Sequence, residues 1–103
     1  MPAVQNTFKA ELIKHHHHCE LRVTGDVTEP TTGWTVSLER AVPQGINPKI
    51  LLLKLIEVKP SGAAGNVVTT HHVKYDENPA QVEYTDVTIE GAFSIQVHHV
   101  AHA

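Results

Sequence analysis

His15-His16-His17-His18-Cys19-Glu20-Leu21-Arg22-Val23-Thr24 is the stretch on which the fold turns. Cys19, Leu21 and Val23 fall on one parity; Glu20, Arg22 and Thr24 fall on the other. Successive side chains of an extended strand point to opposite faces, so this alternation predicts a strand with one buried face. Carried backwards, it sets His15 and His17 on the inward face with Cys19, and His16 and His18 on the outward face with Glu20. Carried forwards it reaches Val27, with Gly25-Asp26 expected as a bulge or bend inside the strand.

The neighbouring segments follow the same pattern. Thr7 to Lys14 reads as a strand, with a short helix capped by Thr7 as the rival. Glu29-Pro30-Thr31-Thr32-Gly33 is a turn by its Pro and Gly content. Trp34, Val36 and Leu38 then alternate with Thr35, Ser37 and Glu39, and Trp34 is expected as a core anchor. Ala41 to Pro48 is a loop whose Val42 and Ile46 are expected to tuck under the sheet edge. Ile50 to Val58 carries only Lys54 and Glu57 as polar residues, which predicts a central strand covered on both faces for part of its length. Val67 to Tyr75 and Phe93 to His99 alternate cleanly, with Asp76-Glu77-Asn78-Pro79 as a turn. Gln81 to Ile89 slips phase between Tyr84 and Val87, which predicts a kink at Thr85-Asp86.

Short strands separated by Pro/Gly turns predict an all-β chain, a small antiparallel β-sandwich of immunoglobulin-like architecture, with a small β-barrel as the alternative. The Cys…Trp…Cys signature is absent, so the likeness is one of architecture and carries no function. A chain of 103 residues supports one modest core. The reading is therefore a single domain over 1–103, with 1–6 and 101–103 as loose ends.

Composition narrows the function classes. Aromatics make up 5% of the chain, so Val, Leu and Ile must build the core. A net charge of -3 argues against a nucleic-acid partner, which needs a basic stripe. With 9 histidines that charge turns positive as pH falls through roughly 6.5. A single cysteine excludes an internal disulfide and argues against a disulfide-stapled secreted scaffold. No stretch reaches the roughly 18 apolar residues of a membrane span, and Met1-Pro2-Ala3-Val4-Gln5-Asn6 lacks the order of a signal peptide. A soluble, cytoplasmic protein is expected.

The candidate chemistry lies in the histidines, clustered at His15–His18, His71-His72, His98-His99 and His102. Neutral imidazole is the commonest metal ligand and suits Zn, Ni and Cu. A strand supplies ligands to one face at i and i+2. The expected set is His16, His18, His72 and His98, with His15, His17, His71 and His99 as the opposite-face set. The His-Cys-Met copper pattern fails, because Cys19 is early and Met1 is the only methionine. Cys19 reads as a small buried hydrophobe, and an enzymatic role for it is not favoured. The acidic residues Glu29, Glu39, Glu57, Asp76, Glu77, Glu83, Asp86 and Glu90 read as a solvated surface. Together these features describe a binding or structural module that self-associates, with a protein partner, a homodimer first, and neither nucleic acid nor membrane. The alternative is a His-rich Zn, Ni or Cu binding protein or a pH-responsive module, and a His-metal enzyme comes third.

Overall fold

A computed structural model describes residues 3–62 and 65–101. His102, and Met1, Pro2 and Ala103 of the expected loose ends, lie outside the described residues. The strands are β1 (Ala3–Lys14), β2 (Cys19–Glu29), β3 (Thr35–Arg40), β4 (Ile50–Val58), β5 (Thr69–Glu77), β6 (Asp86–Ile89) and β7 (Phe93–Ala101). The chain is all-β. Its strands hydrogen-bond into one sheet of order β3-β4-β6-β7-β1-β2-β5. The sheet is mixed: β1 pairs with β7, and β4 with β6, in parallel, and the other pairs are antiparallel. It curls nearly into a barrel, so that its edge strands β3 and β5 come together. The guanidinium of Arg40 on β3 lies 2.9 Å from the carboxylate of Glu77 on β5.

Alternation builds the interior. Leu21, Val23 and Val27 of β2 are fully buried, as are Leu51 and Leu53 of β4 and Val87 and Ile89 of β6. Each such side chain contributes about 1.5–3 kcal/mol by leaving water. On β1 the inward residues are Phe8, Ala10 and Leu12. The Phe8 ring meets Phe93 edge-on at 5.2 Å and lies flat over Gly25, where an added Cβ would stand 2.3 Å from a ring carbon. The irregularity expected at Gly25-Asp26 falls on the partner strand: the β1–β2 register shifts between Val4 and Lys9, while β2 runs through. Thr7 holds the bulge, its hydroxyl donating to Val4 O and accepting from Asp26 N–H.

Several expectations are corrected. His15–His18 is not the start of β2 but the turn joining β1 to β2, closed by Lys14 opposite Cys19 and by His15 N–H donating to His18 O at 2.8 Å. The alternation read into the four histidines therefore does not apply. Val42 and Ile46 do not tuck under the edge; they are 92% and 104% exposed. Trp34 lies in the turn before β3, half-buried and outside the core, with its indole N–H on Thr31 Oγ1. β4 buries one face, through Leu51 and Leu53, with Leu52 half-buried on the other. β5 begins at Thr69 and runs through Asp76-Glu77, leaving Val67 and Val68 exposed before it. Of Gln81–Ile89 only Asp86–Ile89 is strand; the segment before it crosses the barrel end, and the slip at Thr85-Asp86 marks where it rejoins the sheet. Ala3–Asn6 and Ala101, expected as loose ends, belong to β1 and β7.

Candidate functional site

Strand directions give the barrel two unlike ends. One, the histidine end, carries the turn His15–His18, the loop 41–49 and the segment 78–85. The other carries the turns 30–34 and 90–92 and residues 59–62 and 65–68. At the histidine end the segment 78–85 is drawn over the opening by Ala80 N–H donating to Cys19 O at 2.7 Å, and it sinks Tyr84 into the core.

The histidine turn presents its rings in two contacting pairs. His16 and His17 meet edge-on at 4.2 Å, and His15 and His18 stack at 4.9 Å. His16, His17 and His18 are exposed. His15 is held back by Glu20, its Nε2 donating to the carboxylate at 2.8 Å, and Arg22 donates to the other oxygen at 3.0 Å. Glu20 stands on the outward parity yet is buried under these partners. Hydrogen bonding from Asp76, then from His15 and Arg22, holds its carboxyl down to about 2 against the opposing effect of burial. Burial, then the Glu20 carboxyl, pushes Asp76 up.

Behind the turn lie two adjoining clefts that share Lys14 and Cys19. One is open and walled by the four histidines. The other, of about 370 Å³, is the barrel mouth, lined by Leu12, Lys14, Cys19, Glu83, His99, Val100 and Ala101. Inward alternation of β1, β2 and β7 brings Lys14, Cys19 and His99 to this rim, and the crossing segment supplies Glu83. The mouth joins an apolar floor to a few polar groups, the usual make-up of a small-molecule site in a barrel.

The other histidines are set apart by register. His98 and His99 of β7 stand level with Glu11 and Leu12 of the adjacent β1, about 10 Å along the strand from the turn. His72 and His71 of β5 stand level with Asp26 and Val27, roughly 23 Å along β2 from Cys19. His72 bonds the Asp26 carboxylate at 2.9 Å on the surface, and His71 lies 3.3 Å from Thr69 Oγ1. The structure thus brings His16 and His18 together with their opposite-face partners His15 and His17. His99 shares the mouth with Cys19, His98 stands on the next strand, and His71 and His72 lie far down the barrel. Among the described residues, no three His, Cys, Asp or Glu side chains gather as a group fit for a metal.

Sequence reasoning missed the buried acids. Glu29 and Glu77, taken for surface residues, are 3% and 8% exposed. A signal existed: Glu29 shares the parity of Leu21, Val23 and Val27, and Glu77 that of Val73 and Tyr75. It missed Lys14 and Glu83 at the mouth because the crossing of 78–85 leaves no periodic trace. No helix among the described residues is long and apolar enough to cross a membrane. No known protein family, curated protein or solved structure matches the chain.

Proposed function

We propose that the chain is a binding module that takes a borderline-soft divalent metal, Zn, Ni or Cu, at the tip of its β1–β2 hairpin. The observation that carries this reading is the turn itself, four adjacent imidazoles whose rings already touch in two pairs. A Zn–N bond is about 2.0–2.1 Å, so two nitrogens on one ion lie about 3.3 Å apart, and rings with centroids 4.2 and 4.9 Å apart must turn to bring them there. A turn can gather imidazoles that a strand would send to opposite faces. Cys19, which lines the same open cleft as the four histidines, is the nearest further donor. A free thiol beside such a site suits a reducing compartment such as the cytoplasm. The test is calorimetric titration with NiCl2, ZnCl2 and CuCl2, alongside the melting temperature. Wild type is expected to bind one ion per chain and to melt higher with metal. His16→Ala/His18→Ala, which takes one ring from each pair, is expected to weaken binding at least about tenfold, and His71→Ala/His72→Ala to leave it unchanged. Wild type that takes up no metal, or equal loss in both variants, overturns the reading.

A second reading, self-association, is favoured by the exposure of Val58, Val67 and Val68 at the end opposite the histidines. The sheet edges suit it less, because β3 and β5 cover one another. It predicts a dimer in sedimentation equilibrium that Val67→Ser/Val68→Ser turns into monomer; a wild-type monomer at 100 µM rejects it.

A further inference from the structure

The barrel mouth at the histidine end brings charged side chains together over an apolar floor. Leu12, 2% exposed, forms the floor, with Val100 and Ala101 beside it. β1 and β7 run parallel, with His99 level with Leu12 and Ala101 level with Lys14. Lys14 and His99 therefore stand diagonally on one inward face, their Cα atoms about 8 Å apart. On the other side of β1, Cys19 stands opposite Lys14.

The remaining wall is the crossing segment 78–85. Its Ala80, Val82 and Tyr84 pack against the core, so Glu83, between two of them, is left at the rim. Backbone bonds fasten this segment near both ends. Ala80 N–H donates to Cys19 O at 2.7 Å, and Val97 N–H donates to Thr85 O at 2.9 Å. Lys14 and Glu83 line one cleft from different elements, yet they form no ion pair. Among the described residues, the side chains of Lys14, Glu83 and His99 have no hydrogen-bond or ion-pair partner. A simple carboxylate entering here meets the Lys14 ammonium but also the Glu83 carboxylate. A simple amine meets the reverse. A molecule that carries both charges satisfies both walls.

We propose that the mouth is a second binding site, for a zwitterion of amino-acid size with an aliphatic side chain. Its carboxylate accepts from Lys14 and His99, its ammonium donates to Glu83, and its side chain lies on Leu12 and Val100. The cleft, about 370 Å³, is at the small end of the roughly 300–1,000 Å³ usual for small-molecule sites, which sets the size of the ligand. Walls fixed by backbone bonds before the ligand arrives lower the ordering cost of binding. The site adjoins the proposed metal turn and does not depend on it.

The experiment titrates the intact chain, in EDTA so that no metal takes part, with L-leucine, isocaproate and isoamylamine. The three share one aliphatic tail and carry both charges, the anion alone and the cation alone. L-Leucine is expected to shift the backbone NMR signals of Cys19 and His99 and to bind at least about tenfold more tightly than either analogue. Cys19 is the chain's single cysteine, so saturating leucine is also expected to slow its alkylation by iodoacetamide severalfold. Lys14→Met and Glu83→Gln are each expected to weaken leucine binding at least about tenfold, and Lys54→Met, on exposed β4 surface, to leave it unchanged. The proposal is overturned if leucine does not bind, if either analogue matches it, or if Cys19 is not shielded. It is also overturned if either mouth variant binds like wild type or if Lys54→Met loses as much. Should a mouth variant fail to fold, the comparison of the three compounds on wild type decides alone.

Discussion

The buried carboxylate of Glu77 gathers four donors. It accepts from Arg40 at 2.9 Å, from the hydroxyls of Tyr75 and Tyr84 at 2.7 Å each, and from Gln81 N–H at 3.0 Å. Burial alone would push this carboxyl up, but the Gln81 N–H, the two hydroxyls and Arg40 outweigh it and hold it down. Glu77→Gln keeps the shape and strands the partly buried charge of Arg40. It is expected to cost about 2–4 kcal/mol in urea unfolding, against about 1 kcal/mol for Tyr75→Phe, which removes one donor of four. Equal costs would mean that the charge does not matter. Glu77 and Glu29 both share an inward parity, yet each reads in the sequence as part of a turn. Acids are almost never buried unless paired, and the charged partner of Glu77, Arg40, lies on β3, to which periodicity along β5 cannot point.

At the scale of elements, strand alternation located most of the sheet, because more and less buried residues alternate from Leu21 to Glu29 of β2, from Ile50 to Lys54 of β4 and from Phe93 to His98 of β7. It failed where the sequence held no contrast. Four identical residues carry no parity, so the alternation of Cys19-Leu21-Val23 could be run backwards through His15–His18 without resistance, and the turn was hidden. Pairing order was equally silent, since nothing in one strand names its neighbour. One close contact between elements was readable only as a glycine. Gly25 is there because the Phe8 ring occupies the space a side chain would need. Gly25→Ala is expected to lose about 1–3 kcal/mol by overpacking. Phe8→Ala added to it should recover part of that loss in the same unfolding assay, a non-additivity that independent sites would not show.

For the molecule as a whole, the carboxyls set opposing pH limbs. Glu20, held down to about 2, and Glu77, also lowered, contribute stability that is present above their ordinary 4.5 and is lost as pH falls below it. Glu29, raised to about 7, contributes stability that is full below 4.5 and is lost as pH rises through 7. The carboxyl contribution is therefore greatest near pH 5, and the melting temperature is expected to fall from there toward pH 8. Glu29→Gln should flatten that alkaline limb, raising the melting temperature at pH 8 by about 5 °C or more. A wild-type melting temperature that climbs steadily from pH 5 to 8 would contradict the assignment. The position of β7 between β6 and β1 has a consequence for synthesis. The two half-sheets it joins draw on strands interleaved along the chain, β1, β2 and β5 on one side and β3, β4 and β6 on the other. Neither half is a run of consecutive strands that could finish folding as the chain leaves the ribosome. Until the seventh strand emerges, the β1–β2 hairpin shows a bare edge along β1, open to capture by another nascent copy.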